Sequence, residues 1–265
     1  MSGLIMSEVA AVDVPERYSH ECRVASVRFL NRGTFQVELE SSTGAALRYI
    51  AGHYLQLNID IDGQAHSLFY SVANRPDSKQ PGRLQLFIQN GSLFTEKLLR
   101  RLVQLCGRQE CLTVTLPMGR AFLQSNLKQP HLLVAAGSGI SKIKCLAEEI
   151  VARDPSADVR VYWSNKNIDD FYLLEEFREW ETQDENLSFT PILESEHPEW
   201  NGRTGFIFEV IQEDQYVSDN TVAYLCGSPR MVYGTIDQLA PYGLTEANCY
   251  SDVFEYAPRD KRVAV

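Results

Sequence analysis

The chain has 265 residues, 44% hydrophobic and 23% charged, enough to bury one large core or two medium ones. Its formal net charge of −10 excludes nucleic acid and anionic membrane surfaces as partners, since both select concentrated positive charge. The six cysteines (Cys22, Cys106, Cys111, Cys145, Cys226 and Cys249) form no CxxC pair and meet no histidine cluster, so the sequence reads as a reduced, cytoplasmic protein without a metal site.

Residues 1–17 carry Glu8, Asp13, Pro15 and Glu16 without a basic leader, which predicts a loose tail and no secretory signal. From about residue 20 to 122, apolar residues alternate at period two, as in Phe35, Val37 and Leu39, or Leu55, Leu57 and Ile59. Leu84, Leu86 and Ile88 repeat the pattern, as do Leu112, Val114 and Leu116. Short strands without alternating helices predict an antiparallel barrel. One helix interrupts them, capped by Ser92 and marked by Phe94, Leu98, Leu99, Leu102, Val103 and Leu105 at helical spacing.

Past a linker at Ser125 to Pro130 the pattern becomes strand then helix, four times over, with helices expected near 140–152, 170–181, 205–212 and 229–239. That order predicts a parallel sheet binding its ligand outside the carboxyl ends of the strands. The expected division is 18–124 for the barrel and 130–258 for a nucleotide-binding domain. The sequence contains no apolar run long enough to span a membrane.

Two turns lie at strand ends. In the first, a buried strand passes through Gly137-Ser138-Gly139 into a helix starting with Ile140 and Ser141. Glycines there permit a tight turn and close approach of a ligand, and the helix start offers N–H groups to a pyrophosphate. The second is Cys226-Gly227-Ser228-Pro229-Arg230-Met231, where Ser228 suits a helix cap and Pro229 its first position. No acidic residue ends the strand at Trp163 to hold an adenosine ribose; Lys166, three residues on, is a candidate for pairing with a 2′-phosphate.

The ordered set of Gly52-His53-Tyr54, Tyr70-Ser71, the glycine turn, Val161-Tyr162-Trp163, Gly202-Arg203-Thr204-Gly205, Cys226-Gly227-x-Pro229-x-Met231 and Asp252-x-Phe254 resembles the ferredoxin reductase-like flavoprotein superfamily, and within it the small NAD(P)H:flavin oxidoreductases. The resemblance spans roughly residues 20–256. It implies a flavin-binding barrel and an NAD(P)-binding domain, with Ser71 at flavin N5, Tyr70 beside the ring, and Val72, Thr95 and Phe254 in contact with flavin. It implies Cys226 near nicotinamide C4, with Gly227 leaving room for the ring. The nucleotide would lie on Gly137, Ser138, Gly139, Ile140, Ser141, Lys166, Cys226, Gly227, Pro229 and Met231. Two positions depart from the family pattern: Leu68 replaces an arginine that grips the flavin phosphate, and Lys142 replaces a proline after the turn.

The implied activity is hydride transfer from NAD(P)H to FAD, FMN or riboflavin, held weakly or used as substrate. One alternative is a flavin-retaining reductase that passes electrons to an oxygenase or carrier protein. Since no CxxxxCxxC set is present, the chain has no iron–sulfur cluster to relay them. The other is a non-catalytic regulatory binding protein, which the changes at Leu68 and Lys142 suggest.

Overall fold

The computed structural model describes residues 16–259, so most of the expected N-terminal tail lies outside the described residues. Its first half is an antiparallel sheet of β1 (Tyr18–Asn31), β2 (Thr34–Ser41), β3 (Tyr54–Ile61), β4 (Gln64–Ser71), β5 (Arg83–Gln89) and β6 (Cys111–Met118). The strand order is β4-β3-β6-β1-β2-β5. The sheet curls until its two edges approach each other just after β4, where Ala73 N donates to Gln85 O at 2.8 Å. There Asn74 stands in for ladder groups: its Oδ1 accepts from Gln85 N at 2.7 Å. The period-two residues share one core, in which Val37, Leu39, Leu55, Leu57, Leu84, Leu86, Val114 and Leu116 are wholly buried.

Between β5 and β6 runs α1 (Leu93–Arg108), capped as the sequence predicts by Ser92, whose hydroxyl accepts from Thr95 N. Leu98, Leu99, Leu102 and Leu105 close one side of the barrel core. Val103 is an exception, 54% exposed, because the barrel meets only the leucine stripe of this helix.

Residues 119–130 lead from this sheet to the second, which contains β7 (His131–Ala136), β8 (Val159–Asn165), β9 (Leu187–Leu193), β10 (Arg203–Thr204), β11 (Val222–Cys226) and β12 (Cys249–Tyr250). All pairings are parallel, in the order β10-β9-β8-β7-β11-β12. The two short edge strands, β10 and β12, have no period-two signal in the sequence. Alternate residues of the central strands feed two cores. Leu133, Val161 and Tyr224 pack toward α2 (Ile140–Arg153) and α3 (Leu174–Gln183), while Leu132, Tyr162 and Leu225 pack toward α4 (Ile207–Glu213) and α5 (Pro229–Leu239). The last helix among the described residues is a short turn, α6 (Val253–Tyr256). No helix among the described residues is long and apolar enough to cross a membrane.

Candidate active site

At the end of β7 the chain turns at Gly137, whose φ of +56° favours glycine. Fully buried Trp163 on β8 fixes this turn from beneath, donating Nε1–H to Gly137 O at 2.9 Å. Above it the ground is open, with no atom within 4 Å of where a Gly137 side chain would start. The 3-10 turn Gly137–Gly139 runs straight into α2, with Ile140 N–H taken by Gly137 O and Ser138 O; no side chain caps this turn and no acidic residue lies in it, so the start of the turn, at Gly137 and Ser138, is the end that suits a phosphate.

The neighbouring residues serve differently than the sequence suggests. A Cβ on Gly139 would lie 2.1 Å from Cys226 O, so this glycine admits the backbone of β11 rather than a ligand. Ile140 is core, and buried Ser141 donates its hydroxyl to Ser138 O at 3.0 Å. Only Gly137 and Ser138 of the turn reach the surface. In the second turn Ser228 caps α5 by accepting from Met231 N at 3.3 Å, with Pro229 in its first turn. The space beside Gly227 is filled by the Met231 methyl group, 2.3 Å from a Cβ placed there.

Half-buried Cys226 ends β11. Burial pushes its thiol up to about 11, against a downward pull from Lys142 and an upward push from Asp252, so it stays protonated near neutrality. Lys142 Nζ lies 2.5 Å from Asp252 Oδ2 and donates to Ala121 O at 3.3 Å. His53 is buried nearby, its Nδ1 accepting from Ile50 N at 2.9 Å. Burial, helped by the Lys142 charge, holds this imidazole down to about 4.

On the barrel side, Ser71 closes β4 directly opposite Tyr54, and Tyr54 also pairs with Met118 at the end of β6. The next residue, Gly119, must be small: a Cβ there would lie 2.7 Å from the Tyr54 ring and 3.1 Å from Asp252 Oδ1. A continuous run of neighbours therefore joins Ser71, Tyr54, Gly119, Asp252, Lys142 and Cys226. Tyr70 is half-buried beside this end, its hydroxyl pushed up to about 12 by burial. Leu68 lies opposite Leu57 and packs on the barrel core.

Other sequence candidates lie apart from this run. Val72 is wholly buried and its N–H is taken by His53 O at 3.2 Å. The Thr95 hydroxyl completes the α1 cap, accepting from Ser92 N at 3.0 Å. Phe254 packs on Tyr233, ring centres 5.8 Å apart, whereas exposed Tyr256 is near enough to Cys226 and Asp252 for both to reinforce the upward shift that burial gives its hydroxyl. Lys166 is exposed just past β8. Sequence reading missed the Lys142–Asp252 pair. Its trace was a lysine in the first turn of a helix, where the dipole disfavours a cation unless a carboxylate answers it.

An oxidoreductase NAD-binding domain model matches residues 133–236. The chain is 26% identical over 248 residues to the CDP-6-deoxy-L-threo-D-glycero-4-hexulose-3-dehydrase reductase of Yersinia pestis, covering 90% of this chain and 70% of that protein. It is 24% identical over 220 residues to the NAD(P)H-flavin reductase of Vibrio harveyi, covering 82% and 90%. Its fold matches the Amycolatopsis cytochrome P450 reductase GcoB with a TM-score of 0.79 at 23% identity, covering 93% and 72%. In its barrel followed by a parallel sheet, in the oxidoreductase NAD-binding model that matches the second half and in these relatives, the chain is similar to the ferredoxin reductase-like oxidoreductases.

Proposed function

We propose that this protein is a cytoplasmic NAD(P)H:flavin oxidoreductase, with a flavin domain at 18–124 and a nucleotide domain at 130–258. The observation that carries the reading is the run of neighbours from Ser71 at the barrel end to Cys226 at the carboxyl edge of the second sheet. It runs from the Tyr54 ring, on the same face of the sheet as Ser71 and Phe69, to the open turn at Gly137, which supports a flavin ring on the one and a dinucleotide phosphate on the other. The flavin supplies the hydride-accepting chemistry when bound. The protein's part is to hold the reactants together so that transfer becomes effectively unimolecular. Ser71 would hydrogen-bond the accepting nitrogen, Gly137 and Ser138 would seat the pyrophosphate, and the protonated Cys226 would pack beside the nicotinamide. With Leu68 packed on the core and no arginine at that position, the flavin is held weakly or used as substrate. Six unpaired cysteines suit a reducing compartment.

The test is Ser71→Ala. A hydrogen bond that strengthens during transfer gives a kcat lower by roughly 10- to 1000-fold with little change in KM for flavin. An unchanged kcat in the folded variant refutes the site. A second reading, a reductase component serving a separate acceptor protein, is favoured by the exposed Phe69, which meets the Tyr54 ring edge-on at 6.1 Å. Purified protein that is yellow, and that reduces no free flavin, would establish it over the first.

A further inference from the structure

Lys142 departs from the family pattern, and its surroundings explain how the chain uses it. Its side chain is 3% exposed, yet it is an ammonium in the first turn of α2. It reaches groups from two other parts of the chain: Ala121 O, in the connection after β6, and Asp252 Oδ2, at the entry to α6. The second carboxylate oxygen, Oδ1, is buried without a hydrogen-bond partner and faces Gly119. Glu255, one turn further along α6, accepts from Arg120 N at 2.6 Å. The C-terminal segment is therefore fastened to the loop after β6 at one point and to α2 at the other. The remaining titratable groups around the pair are His53 and Tyr54 from the barrel, Cys226 from β11 and Tyr256 from α6. His53 is neutral near pH 7, so the Asp252 carboxylate is the nearest charge that answers Lys142.

We propose that Lys142 is a positioning residue of the hydride-transfer site, clamping Asp252 so that α6 and the Gly119 loop hold a fixed place against Cys226. This rests on the functional reading above. Removing one member of a buried pair leaves an uncompensated charge, so the segment must shift to bring the carboxylate to water. Lys142 lies beneath the surface, away from the open ground over Gly137, so nucleotide binding survives its loss while the geometry at the reacting atoms does not.

The experiment compares full-length wild type with Lys142→Met, Lys142→Arg, Asp252→Asn and the Met/Asn double variant, following NADH and NADPH oxidation with added riboflavin and FMN. Lys142→Met is expected to lower kcat about tenfold or more with KM for the nucleotide within about threefold. Lys142→Arg, which keeps the charge, is expected to recover most of that loss. The kcat losses of Lys142→Met and Asp252→Asn are expected not to multiply in the double variant. A folded Lys142→Met with unchanged kcat, a change confined to KM, or fully multiplicative losses would each overturn the proposal. If Lys142→Met does not fold, Lys142→Gln, which keeps a donor for Ala121 O, carries the same test. Absence of turnover in the wild type would remove the hydride-transfer reading itself, and the clamp's role with it, so the two failures are distinct.

Discussion

At the residue scale the burial of His53 makes a testable statement about pH. Its imidazole is held down to about 4 in the folded chain, against an ordinary 6.5, so between those values the unfolded chain takes up a proton that the folded chain refuses. Stability is then full above about pH 6.5 and falls as the solution is acidified toward 4, by at most roughly 3 kcal/mol from this residue. Denaturant titrations from pH 7 to 4 should show a shallower decline for His53→Gln than for wild type; equal slopes would show that the imidazole protonates as freely in the folded chain. Cys226 makes the converse point. With its thiol protonated at neutral pH, it lacks the thiolate that nucleophilic chemistry needs, so in the proposed site it would act by shape and contact.

At the element scale the two glycines of the first turn have separate duties. Gly137 supplies a left-handed backbone with open space above it, whereas Gly139 lets α2 begin in contact with the end of β11. Gly137→Asn, a residue that tolerates positive φ, should cost about 1 kcal/mol or less. Gly139→Ala must push the Cys226 carbonyl away and should cost roughly 3 kcal/mol or more. Thermal melts of the two variants check this, and equal losses would mean that the strand and helix ends give way more easily than their packing implies. The same close approach makes Gly139 a poor probe of nucleotide binding, because its substitution changes the strand end before any ligand arrives.

At the scale of the whole molecule, α2 joins the barrel to the second sheet along its length. Near its start Lys142 reaches Ala121 O; further on, Cys145 donates its thiol to Asn74 O at 3.0 Å, and Glu148 accepts from Arg75 N at 2.9 Å. Glu148 also pairs with buried Lys144 at 2.5 Å. Barrel residues Ala51, Ala73 and Phe87 share a core with this helix, so the halves are expected to melt together. A single calorimetric transition is the expected wild-type result. Glu148→Ala, which removes a carboxylate from Lys144 and an acceptor from Arg75 N, should lower stability by roughly 2 kcal/mol, or Tm by about 5 °C. Two separate wild-type transitions would contradict the joined core.

The sequence by itself determined the longer elements and their order, though not the short edge strands β10 and β12. Period-two leucines and valines marked the barrel strands because one face of each must be dry, and Ser92, Ser228 and Pro229 marked helix starts because unpaired N–H groups need an acceptor or a residue without one. Tyr70-Ser71, the glycine turn and Cys226 were legible as fragments, each at a strand end. Only the tertiary structure decided what those fragments touch. Gly139 meets Cys226 across 87 residues, Lys142 meets Asp252 across 110, and the space at Gly227 belongs to Met231. Local pattern reports which face of an element is dry. It does not report which distant backbone or charge fills the opposing space, because that depends on how two sheets are set against one helix, and long-range packing fixes that arrangement.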